Sequence, residues 1–168
     1  LSFSSCMIRS GSDIKISNGY RLKFGIMKAR FFQNTLRRFM AKMTTEEAFV
    51  KVLQMHGIEH AFGIIGSAFM PISDIFPDAG ITFWDVAHET NGGLIADGYT
   101  RATGKMSMVV AQNGPGITGL VTPIKTAYWN HTPLLLVTPQ AANKTMGQGG
   151  FQEVEQMNLF KDMVCYQE

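Results

Sequence analysis

The sequence of 168 residues predicts an α/β protein built on a doubly wound parallel sheet with helices on both faces. Short apolar runs alternate with segments of helical periodicity over residues 43–168, which is the pattern of successive βαβ units. These runs are almost entirely apolar, as expected for strands that are covered on both faces of a sheet. Hydrophobic residues make up 45% of the chain and charged residues 17%, so the chain can bury a core of ordinary size.

Capping residues, glycines and apolar runs delimit the predicted elements. Thr44 and Glu47 form the pattern of a capping box, and apolar residues then recur at helical spacing until Gly57. Each predicted strand is a short apolar run that ends at glycine or at polar residues. After this first helix, the predicted elements are strand 60–65, helix 70–76 (ended by Pro77), strand 81–84, helix 89–103, strand 106–111, helix 116–129, strand 134–137 and helix 151–163.

Two predicted helices contain residues that are unfavourable in a helix interior. Pro123 falls within helix 116–129, where it should kink the helix or cost about 3 kcal/mol. Gly92 and Gly93 fall within helix 89–103, and each glycine costs about 1 kcal/mol relative to alanine. The glycine pair therefore predicts that another backbone, a subunit or a flat ligand comes very close to this helix.

Charge divides the chain near Met43. Residues 1–42 carry nine Lys or Arg and one acidic residue, a net charge of +8, whereas residues 43–168 carry −6. We interpret residues 1–42 as a basic extension that is disordered or not native to the protein. An organellar transit peptide and an arm that binds nucleic acid or anionic lipid are the alternatives.

Polar residues and glycines collect at the carboxyl ends of the predicted strands, where parallel sheets bind their ligands. Three loops lie there, over 66–70, 85–91 and 112–116. In the second loop, Glu89 lies at a helix N-terminus, where it either complements the helix dipole or takes part in chemistry. In the third loop, Gly-Pro-Gly is either a tight structural turn or a rigid backbone cradle for a ligand.

Several kinds of site are excluded by motifs that the sequence lacks. Gly66-Ser67 is not followed by the lysine of a P-loop, and neither GxGxxG nor GxSxG occurs where it would be needed. No group of His, Cys, Asp and Glu has the spacing of metal ligands, so we expect no metal site. Cys6 and Cys165 stand far apart, which excludes a disulfide framework and fits a reducing compartment. No run of about 18 apolar residues occurs, so we expect no transmembrane helix.

The combination of these motifs resembles a known family over residues 43–168. Ala87-His88-Glu89 is followed by ADGYTRATG at 96–104, by Gly-Pro-Gly at 114–116 and by Phe-Gln-Glu at 151–153. This combination resembles the N-terminal, pyrimidine-binding domain of thiamine diphosphate enzymes of the acetolactate synthase type. The resemblance implies the thiamine diphosphate-binding fold for this segment and a natural start at Met43.

Four stretches resemble a narrower branch of the family, namely 43–49, 112–118, 125–133 and 138–144. This branch comprises acetyltransferases that convert sulfoacetaldehyde and phosphate into acetyl phosphate and sulfite in taurine degradation. The alternatives within the family are an acetolactate synthase or a 2-oxo acid decarboxylase. An alternative of another class is a non-catalytic interaction module with a basic arm, whose DNA binding would depend on salt.

The resemblance also implies roles for individual residues. A glutamate at the position of Glu89 hydrogen-bonds the aminopyrimidine ring of the cofactor and thereby promotes loss of the thiazolium proton. The chemistry requires a carboxyl group in a dry pocket that can share a proton with a ring nitrogen. The resemblance assigns four residues to the pyrimidine side of the cofactor, namely Gln112, Asn113, Gly114 and Pro115. It makes six residues candidates for the substrate side, namely Gly66, Ser67, Phe69, Gln148, Phe151 and Gln152.

The sequence departs from the family in several places. Gly119 stands where the family commonly has Asn, and Thr90-Asn91 replaces the small residues expected after the glutamate. The family holds the diphosphate and Mg²⁺ in a separate C-terminal domain with a GDG motif, which this sequence does not contain. We therefore expect residues 43–168 to be a truncated domain, inactive alone and marginally stable. The resemblance further implies a cytoplasmic homodimer or homotetramer that acts on small molecules, without a nucleic-acid or membrane partner.

Overall fold

A computed structural model describes residues 3–7 and 43–167 of the chain. Six strands form one sheet in the order β3-β2-β4-β5-β1-β6. The strands are β1 (Phe3–Met7), β2 (His60–Gly63), β3 (Thr82–Asp85), β4 (Ser107–Val110), β5 (Leu134–Pro139) and β6 (Tyr166–Gln167). The helices are α1 (Thr45–Met55), α2 (Met70–Ser73), α3 (Phe76–Ala79), α4 (Glu89–Thr103), α5 (Pro115–Thr118), α6 (Val121–Trp129) and α7 (Gln156–Phe160).

The four strands β3, β2, β4 and β5 are parallel neighbours, which confirms the predicted parallel sheet. Successive residues of a strand point to opposite faces, and the core is accordingly divided into two clusters. Val109 of β4 belongs to the cluster that also contains residues of α4, α5 and α6. Met108 and Val110 belong to the second cluster, with residues of α1, α2 and α3. Helices therefore cover both faces, as the sequence predicts.

Two antiparallel strands extend the sheet beyond β5, and the apolar runs did not predict them. β1 pairs with β5 in the register Phe3↔Pro139 to Met7↔Leu135, and β6 pairs with β1. Since β5 is buried along its whole length, its outer backbone groups need partners, which β1 supplies. Most of the basic extension proposed for residues 1–42 lies outside the described residues, and that interpretation stays a prediction.

The first and fourth helices match their predicted limits because local capping defines them. The capping box of α1 is formed: Glu47 N donates to Thr44 Oγ1 (3.2 Å), and Thr44 N donates to Glu47 Oε2 (2.9 Å). α4 begins after its N-cap His88, whose Nδ1 accepts from Thr90 N at 3.2 Å, and it ends at Gly104 in the left-handed conformation.

Three predicted helices differ in the structure, and proline or backbone conformation gives the reason. Helix 116–129 is divided into α5 and α6, so Pro123 lies in the first turn of α6, where its missing N–H breaks no helical bond. Pro77, expected to end helix 70–76, instead lies in the first turn of α3. Helix 151–163 is reduced to the five residues of α7. It begins only at Gln156, because Gln152 has a φ of 56° and Glu155 has a ψ of 67°, and neither angle is helical.

Within residues 43–167, every helix is too short or too polar to traverse a lipid bilayer.

Candidate functional site

Three loops meet at the carboxyl ends of the parallel strands, as the topology requires. Gly66 follows β2, Glu89 follows β3 and Gln112 follows β4. Gly66 lies against Gln112 so closely that a Cβ on the glycine would stand 2.0 Å from Gln112 Oε1. A Cβ on Gly116 would stand 3.2 Å from Glu89 Oε1 and 3.5 Å from Gln112 Cβ. The structure therefore brings the three predicted loops into one continuous site.

The Glu89 carboxylate lies between two glycines at the start of α4. Its Oε1 faces Gly116, and its Oε2 is 3.5 Å from where a Cβ on Gly119 would be. The side chain is half-buried, and the first turn of a helix favours a negative charge. Over residues 43–167, no lysine or arginine forms an ion pair with this carboxylate, since the ion pairs there are Arg101–Asp97 and Lys105–Glu59. The carboxylate is consequently available to a ligand.

Gln112 and Asn113 form a short hydrogen-bonded chain beside this carboxylate. Gln112 Nε2 donates to Asn113 Oδ1 at 2.7 Å, and Asn113 Nδ2 donates to the carbonyl oxygen of Gln152 at 3.0 Å. Asn113 is only 6% exposed, so its amide is oriented by these two partners. Gln112 Oε1 is buried and accepts no hydrogen bond within the described part of the chain. A buried acceptor without a donor costs free energy, which a ligand donor can recover.

The Gly-Pro-Gly turn has a backbone conformation that requires its first glycine. Gly114 has φ 71° and ψ −119°, and a Cβ there would stand 2.7 Å from the carbonyl oxygen of Gln152. Pro115 opens α5, where its missing N–H is not needed. Ile117 N donates to the carbonyl oxygen of Gln112 at 2.9 Å and closes the turn. Gly114 therefore has a positive φ, which glycine adopts without strain.

The remaining predicted residues have different environments. Ser67 is exposed beside the site, whereas Phe69 is 0% exposed, with its ring 5.9 Å from that of Phe76 in the core. Gln148 is exposed, and its Nε2 donates to the carbonyl oxygen of Lys144 at 3.0 Å. Phe151 is 89% exposed. The structure thus places Phe69 in a packing position and presents Phe151 to solvent.

Close packing within the chain accounts for the glycine pair of α4. A Cβ on Gly92 would stand 3.0 Å from Gly63 Cα in β2, so the helix backbone touches the strand backbone. A Cβ on Gly93 would stand 2.5 Å from Cγ of Pro123. The sequence allowed another backbone, a subunit or a flat ligand as the neighbour of this glycine pair. The structure has a backbone at Gly92 and, at Gly93, a proline ring of the same chain.

Two residues beside the site make contacts that no sequence motif indicates. Thr90 Oγ1 donates to the carbonyl oxygen of Gly119 at 2.6 Å, which ties the first turn of α4 to the end of α5. The Glu153 carboxylate accepts from Gly147 N and from Gly150 N. Thr90 and its partner are 29 residues apart, so no local pattern indicates the contact.

Among the described residues, no three His, Cys, Asp or Glu side chains are grouped as metal ligands would be.

Comparisons with known proteins bear on this site. Residues 43–159 match the family described as thiamine pyrophosphate enzyme, N-terminal TPP binding domain. The chain is 86% identical over 127 residues to a sulfoacetaldehyde acetyltransferase of Roseovarius nubinhibens, an alignment that covers 76% of this chain and 21% of that protein. It is 37% identical over 123 residues to an acetolactate synthase of Arthrospira platensis, covering 71% of this chain and 21% of that protein.

A solved structure shares the fold. The thiamine diphosphate-dependent 4-hydroxybenzoylformate decarboxylase of Rhodococcus jostii RHA1 aligns with a TM-score of 0.66 and 25% identity, over 73% of this chain and 23% of that one. The chain spans about a fifth of the length of the curated relatives that it matches. The chain belongs to the thiamine pyrophosphate enzyme family, and residues 43–159 match its N-terminal cofactor-binding domain.

Proposed function

We propose that this chain is the pyrimidine-binding part of a thiamine diphosphate-dependent acetyltransferase that converts sulfoacetaldehyde and phosphate into acetyl phosphate and sulfite. The observation that carries the proposal is the half-buried Glu89 carboxylate, which lies between two glycines and has no cationic partner within residues 43–167. Identity supports the choice within the family, since it is 86% with the sulfoacetaldehyde acetyltransferase and 37% with the acetolactate synthase.

The residues present fit an aminopyrimidine ring. Gly116 and Gly119 carry no side chain over the two oxygens of Glu89, so a flat ring has room to approach the carboxylate. Gln112 Oε1 is a buried acceptor without a donor among the described residues. A ring that carries both a basic nitrogen and an amino group offers a partner for the acid and a donor for the amide. We assign Glu89, Gln112, Asn113, Gly114 and Pro115 to this side of the cofactor.

When bound, thiamine diphosphate supplies the carbanion chemistry of the reaction. The chain contributes a carboxyl group that holds a proton between Glu89 and the ring nitrogen. The turn at 114–116 orients the ring against this group. Its backbone is held because Thr118 N donates to the carbonyl oxygen of Gly114 and Gly119 N donates to that of Pro115.

The finer parts of the proposal derive from the family resemblance. Substrate-side contacts are assigned to the loops that carry Gly66, Ser67, Gln148, Phe151 and Gln152, with Phe69 supporting the first loop from the core. Mg²⁺ and the diphosphate are assigned to a C-terminal domain outside this sequence. Two or four copies are proposed to assemble in the cytoplasm, where the enzyme would act in taurine degradation.

The decisive experiment uses the complete enzyme that contains this domain. Acetyl phosphate and sulfite are measured with sulfoacetaldehyde, phosphate, thiamine diphosphate and Mg²⁺, for the unmodified enzyme and for Glu89→Gln. A carboxamide cannot exchange the proton, so kcat is expected to fall by about 10²- to 10⁴-fold. Glu46→Gln is the matched control, since Glu46 also lies in the first turn of a helix.

Two results would contradict the proposal. Glu89→Gln with unchanged kcat and a melting temperature lowered as in Glu46→Gln would reduce Glu89 to a residue that complements the helix dipole. Formation of acetolactate from pyruvate, without acetyl phosphate from sulfoacetaldehyde, would instead assign the chain to the acetolactate synthases.

A further inference from the structure

The glycine-rich loop over 147–150 is folded around a single carboxylate. Glu153 accepts hydrogen bonds from Gly147 N and from Gly150 N, the latter at 2.8 Å. Gly147 and Gly149 have φ values of 81° and 70°, a conformation that other residues rarely adopt. Ordering such a backbone is costly, because glycine loses the most conformational entropy on ordering. Besides the bonds of Gln148 N to the carbonyl oxygen of Thr145 and of Glu153 N to that of Gly150, the Glu153 carboxylate supplies the two hydrogen bonds that hold the ends of this loop.

A second contact joins the same segment to the candidate site. The carbonyl oxygen of Gln152 accepts from Asn113 Nδ2 at 3.0 Å. It also lies 2.7 Å from where a Cβ on Gly114 would stand, so the two backbones touch. Gln152 has a φ of 56°, which is unfavourable for a side chain with a Cβ and needs support from neighbouring contacts. The hydrogen bonds from Gly147 N and Gly150 N to the adjacent Glu153 carboxylate, which we call the Glu153 clamp, provide that support.

Hydrogen bonds continue from this contact to the centre of the site. Asn113 Oδ1 accepts from Gln112 Nε2 at 2.7 Å, and Gln112 lies against Gly66 and close to Gly116. Asn113 is buried, so the position of the Gln152 carbonyl group decides how its amide is oriented. The orientation of the Asn113 amide in turn decides whether Gln112 points its oxygen or its nitrogen into the site.

We infer that Glu153 is a positioning residue of the cofactor site, which acts through Gln152 on Asn113 and Gln112. The inference rests on the proposed function only in assigning residues 112–114 to the pyrimidine side of the cofactor. The conformation of the loop is a property of this chain's own residues and can be measured without any cofactor.

The test compares Glu153→Gln with Glu155→Gln in the complete enzyme. Both substitutions remove one negative charge from the same segment, but the Glu155 side chain makes no capping hydrogen bond at the start of α7. In Glu153→Gln an NH2 group replaces one of the two oxygens that accept these bonds, so one backbone amide faces a donor instead of its acceptor. Hydrogen exchange over 147–153 is expected to accelerate in Glu153→Gln alone, with exchange in β4 and β5 unchanged.

The second measurement is the dissociation constant of thiamine diphosphate, determined by titration calorimetry in the presence of Mg²⁺. Loss of one charge-assisted hydrogen bond predicts an increase of about tenfold in Glu153→Gln, with little change in Glu155→Gln. Glu153→Asp retains both oxygens on a shorter side chain and should recover part of the affinity. At saturating cofactor, kcat should stay near that of the unmodified enzyme, because Glu153 touches no reacting group.

Unchanged exchange over 147–153 in Glu153→Gln would overturn the clamp. Faster exchange with an unchanged dissociation constant would overturn the positioning role. If the complete enzyme bound no thiamine diphosphate at all, the proposed function would fail. The exchange data would still show whether the Glu153 carboxylate holds the loop over 147–150.

Discussion

Gly93 of α4 lies directly against the ring of Pro123 in the first turn of α6. A Cβ on Gly93 would stand 2.5 Å from Cγ and 2.6 Å from Cβ of Pro123. Pro123 is buried there, and the contact lies one turn after Glu89 begins α4 and four residues after Gly119. This contact accounts for a glycine and a proline that are both unfavourable from the standpoint of helix propensity alone. It also holds in place the two segments that carry the candidate site.

Substitution Gly93→Ala is expected to destabilise the fold by about 1–3 kcal/mol, because the new methyl group meets a rigid ring. Gly98→Ala on the same helix has nothing within 4 Å of the new Cβ and should stabilise by about 0.5–1 kcal/mol. Denaturant unfolding of both variants measures the difference. The double variant Gly93→Ala/Pro123→Ala should recover part of the loss, and strict additivity would argue against the contact.

The segment from Gly114 to Gly119 should tolerate a side chain at its last glycine and not at its first. Gly114→Ala is expected to cost about 1–3 kcal/mol, since alanine is strained at φ 71° and would collide with Gln152. Gly119 has φ −62° and ψ −17°, and its nearest obstacle to a Cβ is 3.3 Å away. Gly119→Ala should therefore change stability by less than about 1 kcal/mol. Equal losses in the two variants, measured by thermal unfolding, would contradict the described backbone.

The hydrogen bond from Thr90 to Gly119 joins the two segments beside Glu89. Thr90→Val preserves the shape of the side chain but removes the hydroxyl group that donates at 2.6 Å. The expected loss is about 1 kcal/mol of unfolding free energy, because the carbonyl oxygen of Gly119 loses a partner in a half-buried place. Thr90→Ser keeps the hydroxyl group and should lose less. A valine variant as stable as the serine variant would show that the bond contributes nothing.

Acid should loosen the loop around Glu153. Hydrogen bonds from the backbone N–H groups of Gly147 and Gly150 lower the pKa of Glu153 below its ordinary value. A lowered pKa means that the folded loop prefers the charged carboxylate, so this contribution is complete above the ordinary glutamate pKa of about 4.3. It is lost as the pH falls through the lower value in the folded state.

An NMR titration of the Glu153 carboxyl carbon measures this effect. Its midpoint in the folded protein should lie below the midpoint in a peptide of residues 147–155. The same midpoint in both would mean that the backbone amides do not hold the carboxylate in solution.

Local physical chemistry is sufficient for several parts of the fold. Thr44 and Glu47 start α1, and His88 and Gly104 delimit α4, because capping involves residues within one turn of the helix end. The apolar runs similarly indicate the four parallel strands. β2 is two residues shorter than predicted, β4 is one residue shorter at each end, β3 is shifted by one residue and β5 is two residues longer. The position of Glu89 after β3 followed from these limits.

Other parts depend on residues that are far apart in the sequence. Helix 116–129 is interrupted between Thr118 and Val121, although only Pro123 signalled a disturbance, and the break lies upstream of it. β1 and β6 occupy an edge that no run of apolar residues predicted. The role of Glu153 was not predicted, because a Phe-Gln-Glu motif does not indicate which backbone amides will surround the carboxylate.

The amino-acid sequence alone was enough to determine the alternation of strands and helices, the parallel sheet and the acidic residue at the strand-to-helix junction. Each of these follows from interactions over a few residues, namely helix caps, side-chain periodicity and the conformational limits of glycine and proline. The tertiary structure alone decided that Gly93 packs against Pro123 and that Asn113 donates a hydrogen bond to the carbonyl oxygen of Gln152. It also decided that two glycines flank the Glu89 carboxylate. These pairs are about 30 or more residues apart, and only the packing of helices onto a twisted sheet brings their atoms together.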